Sequence, residues 1–366
     1  MSASKPACAF GERVADPSSR RSLRRPADLV EAGLAEAGRL AELEAVARQY
    51  AIAVTPAVVD LIDPSDPADP IARQFVPSGA ELDHRPEELA DPIGDEAHSP
   101  VKGIVHRYAD RVLLKPIHAC PVYCRFCFRR EMVGPGGEAL SPEELATALA
   151  YIADHPAIWE VVITGGDPLM MAPRRLAGLM QGLAAIAHVE VIRFHSRVPV
   201  VDPERIDSAL LAALDSDKAV WIAVHANHAR EFGEAQAAAC QRLTRAGIPL
   251  LGQTVLLKGV NDDPATLTAL LRRFVALRIK PYYLHHGDLA PGTAAFRTSI
   301  AEGQALMRGL RGHVSGLCQP GYVLDLPGGH GKVPLGPVDL VETEEPGHYR
   351  ITDRFGDTHL YPPPPR

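Results

Sequence analysis

Three cysteines, Cys120, Cys124 and Cys127, lie in the stretch KPIHACPVYCRFCFRR at 115–130, spaced C-x3-C-x2-C with Phe126 just before the last thiol. A loop spaced this way wraps three thiolates onto three corners of a cubane iron–sulfur cluster, and no fourth cysteine lies nearby in sequence. The fourth iron would stay open, free to chelate a small ligand and pass it an electron. Zinc is the competing reading, since His118 could serve as a fourth ligand. Structural zinc sites, however, are usually announced by paired C-x2-C or C/H knuckles rather than C-x3-C-x2-C.

A second chemical stretch is DLPGGHGKVP at 325–334. A lysine in a glycine-rich segment at a strand end is either a phosphate binder or a Schiff-base former. The phosphate-loop pattern needs Ser or Thr after the lysine and a helix behind it, whereas Val333 and Pro334 follow Lys332. A lysine on a segment that glycines leave free to move fits a covalently held pyridoxal phosphate better. An exposed loop lysine stays open at this point. Gly165-Gly166-Asp167 is a third candidate: glycines just past a strand let the backbone come close to a ligand that a Cβ would block, although a plain strand-to-helix turn also uses these residues.

These residues need elements to hold them. After 101 the chain alternates apolar runs with Ala- and Leu-rich helical segments, which argues for a parallel sheet. Strands are predicted at 111–117, 160–164, 190–197, 219–228, 249–257, 281–286 and 322–329, and Ser141-Pro142-Glu143-Glu144 reads as a capping box opening a helix. Six or seven such units point to a full or partial TIM-like barrel, with an open doubly wound sheet as the alternative. Barrel sites form at the C-terminal strand ends. Those ends carry the cysteine loop, GGD, HSR, HANH, GQT, HHGD and the lysine segment. Any one of His195, His225, His228, His285 and His286 alone would read as a surface or capped loop residue; their shared placement carries the weight.

The 366 residues, 46% hydrophobic with net charge −7, describe a globular chain with ample core, and mild acidity argues against a nucleic-acid partner. Three clustered cysteines, with Cys8, Cys240 and Cys318 scattered, suit the cytoplasm better than a secreted disulfide framework. No stretch approaches the roughly 18 apolar residues of a membrane span. The basic stretch SSRRSLRR at 18–25 reads as a solvated leader. Helical periodicity runs from 26 to about 62, and an Asp- and Pro-rich arm at 63–99 is expected to drape over the main domain. The expected division is a helical appendage and arm at 1–95, a barrel at 96–345 and a tail at 346–366.

The motifs HSPVKGIVHRYADRVLL, CPVYCRFCFRRE, TGGDPL, HANH, QTVLLKGVND, DLAPGTAAFRT, GLRGHVSG and DLPGGHGKVP, in this order across about 90–340, resemble the lysine 2,3-aminomutase family of pyridoxal-phosphate-dependent radical SAM enzymes. The resemblance implies a partial (β/α)6 radical SAM barrel with an N-terminal helical appendage. It implies that Cys120, Cys124 and Cys127 hold a [4Fe-4S] cluster whose open iron binds S-adenosylmethionine, with Gly165, Gly166 and Asp167 contacting that cofactor. Lys332 would form the Schiff base with pyridoxal 5'-phosphate, near Arg111, Tyr108 and Gln253. Arg129 would pair with the substrate carboxylate and Asp288 and Asp325 with the side-chain ammonium of L-lysine, an acidic pair that glutamate-selective relatives lack. The implied activity is transfer of the α-amino group of L-lysine to the β-carbon.

The implied partners are L-lysine and an external electron donor of flavodoxin or ferredoxin type. A homodimer is compatible with the resemblance, and oligomeric state stays open. Longer members of the family carry a C-terminal cysteine-rich zinc site; no cysteine follows Cys318 here, and Asp263 stands where those members place a further zinc cysteine, so no zinc is expected. Pathway stays open between elongation factor P modification and lysine metabolism. Two alternatives remain: a radical SAM aminomutase of another amino acid, and a non-catalytic iron–sulfur protein on the same barrel.

Overall fold

The structure, a computed structural model, describes residues 21–134 and 139–362. Cys8, the first residues of the basic leader and the end of the tail lie outside the described residues. The chain opens with four short helices, α1 (Pro26–Glu31), α2 (Leu40–Gln49), α3 (Pro56–Val59) and α4 (Pro70–Phe75). The helical pattern expected to reach about 62 breaks at Tyr50. Val54 instead pairs with Leu23 as an isolated bridge, with N–H···O distances of 2.9 and 3.0 Å. Ile52 and Val54 are β-branched, and Pro56 disfavours helical backbone at Thr55. Within the arm, α4 starts where Asp69 Oδ1 accepts from Ile71 N and Ala72 N at 2.9 and 2.7 Å, with Pro70 in the first helical position.

The strands that follow are β1 (Ile104–Tyr108), β2 (Arg111–Ile117), β3 (Glu160–Gly165), β4 (Val191–Ser196), β5 (Ala219–His225), β6 (Leu250–Val255), β7 (Ile279–His285), β8 (Gly321–Leu326) and β9 (Gly331–Pro334). They form one nine-stranded sheet in sequence order. The pairs from β2 to β8 are all parallel, while β1 on β2 and β9 on β8 are antiparallel hairpins at the two edges. Crossovers run through α5 (Pro142–Ala153), α6 (Pro173–Ala184), the single turn α7 (Val198–Val201) with α8 (Ser208–Leu214), α9 (Glu234–Arg245), α10 (Pro264–Ala276) and α11 (Ile300–Leu310). This is six βα units followed by one more parallel strand, the partial barrel that the alternating apolar runs predict. Helix α5 begins as expected: Glu144 N donates to Ser141 Oγ at 3.1 Å and Ser141 N to Glu144 Oε2 at 2.8 Å.

The strands are apolar because helices cover their outer faces. Ile163, Phe194 and Ile222 are fully buried, and Leu29, Val54 and Ile71 from the N-terminal segment belong to the same apolar core. The N-terminal segment therefore packs into the barrel's own core. Beyond the barrel, β10 (Leu340–Glu342), β11 (Tyr349–Thr352) and β12 (Thr358–Tyr361) make a small antiparallel sheet where a tail was expected. Among the described residues no helix is long and apolar enough to cross a membrane.

Candidate active site

One cavity opens at the C-terminal ends of the parallel strands, and every residue to which the resemblance gives a cofactor or substrate role lines it. The cysteines and Arg129 come from the loop after β2, and Gly165, Gly166 and Asp167 from the end of β3. Gln253 lies on β6, in register with His225 of β5. Asp288 follows β7, Asp325 is on β8 and Lys332 on β9, while Tyr108 and Arg111 flank the β1–β2 turn. His195, His225 and His285 also face the cavity. His228 and His286 do not. The first caps a turn through Nδ1, which lies 3.1 Å from Arg230 N, and the second has Nδ1 2.8 Å from the Tyr322 hydroxyl.

Burial pushes all three cysteine thiols up, Cys127 to about 11 and Cys120 well above its ordinary value. Thiols in this state become good ligands only when a metal displaces the proton. Among the described residues no three His, Cys, Asp or Glu side chains converge tightly enough for a single ion. Three thiols from one short loop lining one cavity suit a cluster in which each thiolate takes its own iron. Phe126 closes the site from inside, edge-on to Phe296 with ring centres 6.0 Å apart.

The glycines after β3 are needed for a reason the sequence did not give. A Cβ on Gly166 would stand 2.3 Å from Ala119 O, and one on Gly165, at φ +113°, 2.5 Å from Ile117 O. The GGD turn is laid directly on the backbone leading to the first cysteine, with Asp167 N donating to Ala119 O at 2.9 Å. The Asp167 carboxylate is also occupied by the protein. Oδ1 accepts from Leu169 N and Ser196 Oγ at 3.1 and 2.8 Å, and Oδ2 from Arg197 N and Val198 N at 2.6 and 3.1 Å. This side chain shapes the turn, and Gly165, Gly166 and Asp167 all line the cavity.

Arg129 does not stand alone. Its Nη2 donates to Asp95 Oδ2 at 3.1 Å, and the same carboxylate meets Arg107 Nη2 at 3.0 Å and Lys115 Nζ at 3.5 Å. Burial raises the Asp95 carboxyl, but Arg129, Lys115 and Arg107 outweigh it and hold the group below its ordinary value. Three cations against one carboxylate leave an excess of positive charge suited to an incoming anion. Asp95 belongs to the arm, where nothing in the run DPIGDEAHSP distinguishes it from solvated acidic neighbours.

The arm supplies a second buried carboxylate in Glu81. It accepts from Arg125 Nη2 at 2.5 Å and from Arg130, and Arg130 also stacks 3.5 Å over the Tyr50 ring. Removing one partner of a buried ion pair leaves an uncompensated charge. Glu81→Ala strands two guanidinia, and the expected loss of about 3–5 kcal/mol is read as a lowered melting temperature. A melting temperature equal to the parent's would contradict this account.

Lys332 Nζ donates to Asp325 Oδ1 at 2.6 Å, and Asp325 Oδ2 lies 3.6 Å from His285 Nδ1. Burial raises the Asp325 carboxyl, yet the nearby His285 ring and the Lys332 ammonium bring it well below its ordinary value. The lysine was read as lying on a mobile loop. It is instead a strand residue, paired across the β8–β9 hairpin with Asp325, and its N–H donates to the Tyr108 hydroxyl at 2.8 Å. The Arg111 guanidinium stacks 3.9 Å over the Tyr108 ring. Asp288 is different. Burial, then the Asp325 charge, push its carboxyl up to about 7 against Lys332 and Arg129. Among the described residues no hydrogen bond or ion pair engages it.

Comparison with known proteins agrees with this architecture. The radical SAM superfamily model matches residues 114–271 and a lysine-2,3-aminomutase model residues 307–346. L-lysine 2,3-aminomutase of Clostridium subterminale is 42% identical, the match covering 78% of this chain and 69% of that protein. A putative L-lysine 2,3-aminomutase of Aquifex aeolicus is 44% identical over 79% of this chain and 78% of its own. Among solved structures, a radical SAM methyltransferase from Sphaerobacter thermophilus superposes on 60% of this chain and 68% of its own, at 20% identity and a TM-score of 0.43. The motif order, the three thiols and the strand-borne lysine facing one cavity, and identity at this level over most of both chains make this protein a member of the lysine 2,3-aminomutase family of radical SAM enzymes.

Proposed function

We propose that this protein is an isomerase that moves the α-amino group of L-lysine to the β-carbon, giving β-lysine. When bound, the [4Fe-4S] cluster and S-adenosylmethionine supply hydrogen abstraction by a radical route, and pyridoxal phosphate supplies a π-system across which nitrogen migrates. Cys120, Cys124 and Cys127 hold the cluster, and the backbone of Gly165 and Gly166 borders the S-adenosylmethionine. Lys332 Nζ is the tether for pyridoxal phosphate, with Tyr108, Arg111 and Gln253 beside it. Arg129, on the positive side of the cavity, takes the substrate carboxylate in a two-pronged contact that a guanidinium suits.

The observation that carries the choice of lysine is the pair Asp288 and Asp325. Asp325 has a cation beside it, Lys332 Nζ, and Asp288 has no ion-pair partner among the described residues. With Lys332 holding pyridoxal phosphate, Asp325 and Asp288, which line the same cavity, would be the carboxylates available to a substrate ammonium. A substrate with a side-chain carboxylate would meet repulsion there. Phe126 and Phe296 limit water at the reacting atoms. The enzyme works in the cytoplasm with an external one-electron donor of flavodoxin or ferredoxin type.

The test is anaerobic reconstitution with iron, sulfide and pyridoxal phosphate, then lysine, S-adenosylmethionine and dithionite with chiral analysis of the product. β-Lysine formation, with glutamate left unchanged, is the expected outcome; conversion of another amino acid in preference to lysine would overturn the assignment. Asp288 adds a pH signature. A carboxyl that titrates near 7 must lose its proton to hold an ammonium, so lysine binding strengthens by up to about tenfold per pH unit below that value and levels off above it. In Asp288→Asn the slope disappears. Spectral titration of the pyridoxal-phosphate-loaded enzyme with lysine measures both, and a flat profile in the parent removes Asp288 from the ammonium site.

A further inference from the structure

One buried cation plays no part in the reaction described so far. Arg197 stands between β4 and α7, is 6% exposed, and its Nη1 donates to Cys124 Sγ at 2.9 Å. Its Nη2 reaches the other way, to Glu231 Oε2 at 2.6 Å and Gln74 Oε1 at 2.7 Å. The guanidinium lies 4.6 Å from the ring centre of Phe75 and 5.3 Å from that of Phe126, so aromatic rings shield it from water. Every partner is itself fixed. Glu231 Oε1 accepts from Asn227 N and His228 N at 2.7 and 2.9 Å, and the Arg197 backbone is held by Asp167.

An ion pair with Glu231 has no need of a sulfur contact. The fork is turned so that the counterion lies on one side and a cysteine sulfur on the other, within a dry pocket where charge acts strongly. Hydrogen bonds to the sulfurs and local net charge are what set the potential of an iron–sulfur cluster, and the reduced cluster carries the additional electron. A fixed N–H and a positive charge at a ligand sulfur therefore favour the reduced form.

We propose that Arg197 is a positioning residue that orients the Cys124 sulfur and raises the reduction potential of the cluster, with Glu231 as the counterweight that limits the effect. The proposal rests on the reading that Cys120, Cys124 and Cys127 hold a [4Fe-4S] cluster. It also gives Asp167 an indirect role, since Asp167 fixes the backbone from which Arg197 reaches the sulfur.

The experiment is an EPR-monitored redox titration of the reconstituted protein without S-adenosylmethionine or lysine, with iron and sulfide content measured on each sample. Arg197→Gln is expected to move the [4Fe-4S] couple to a more negative potential by about 59 mV or more, a tenfold change in a one-electron equilibrium. Glu231→Gln removes the counterweight and moves it the opposite way. Arg197→Lys keeps the charge on a different geometry and falls between parent and Arg197→Gln. A general loosening of the loop would not give shifts of opposite sign. Potentials of Arg197→Gln and Glu231→Gln equal to the parent's, or shifted in the same direction, overturn the proposal. Should Arg197→Gln not take up iron, Glu231→Gln decides: a potential at or below the parent's overturns it. A parent protein that takes up no cluster fails the underlying reading instead, and the iron and sulfide values separate that outcome from the others.

Discussion

Lys332→Ala and Lys332→Arg both abolish β-lysine formation, by at least about 10³-fold, the scale expected when a covalent or proton-handling group is lost. Lys332 is the one lysine among the described residues lining the cavity, so no neighbouring amine can replace it as the tether. The arginine variant is the sharper of the two. It keeps a cation opposite Asp325 and leaves the backbone bond to Tyr108 untouched, since that bond uses the peptide N–H. Folding and iron content stay at parental values in Lys332→Arg, while the absorbance of covalently held pyridoxal phosphate disappears. Substantial turnover in that variant would mean that residue 332 acts through charge alone.

The second large effect concerns the thiols. Cys127→Ala leaves two cysteines where three are needed, and the protein is expected to reconstitute with iron and sulfide near background and with activity reduced by at least about 10³-fold. Pyridoxal phosphate binding survives, because Lys332 on β9 and Tyr108 at the end of β1 lie outside the cysteine loop. Cys240→Ser and Cys318→Ser are the controls. Both side chains are buried in the apolar core away from the cavity, so they cost some stability and leave the iron content unchanged. Full cluster loading in Cys127→Ala, or its loss in either control, would sink the ligand assignment.

The strands announced themselves because each parallel strand is a short apolar run with both faces covered, and β2 to β8 fall within a few residues of the runs read from the sequence. The strand-end chemistry was visible for the same reason: at 165–167, 285–288 and 325–332 polarity changes abruptly after an apolar run. What stayed hidden depends on long-range pairing. Asp95 and Glu81 sit in an arm whose composition reads as solvated, and only the folded chain brings them against Arg129, Arg125 and Arg130. At Asp167 the sequence shows a carboxylate beside two glycines but not the four donors bound to it. Lys332 looked loop-borne because a four-residue edge strand paired to one neighbour carries no periodicity of its own.

The arm and the lysine hairpin meet backbone to backbone: a Cβ on Gly94 would stand 2.3 Å from Gly329 N. With Glu81 and Asp95 lodged among the arginines of the cysteine loop, the arm is tied both to that loop and to the last barrel hairpin. For recombination between relatives, a crossover near residue 95 would divide acidic partners from the guanidinia they neutralise, and a functional chimera would have to inherit both sides from one parent.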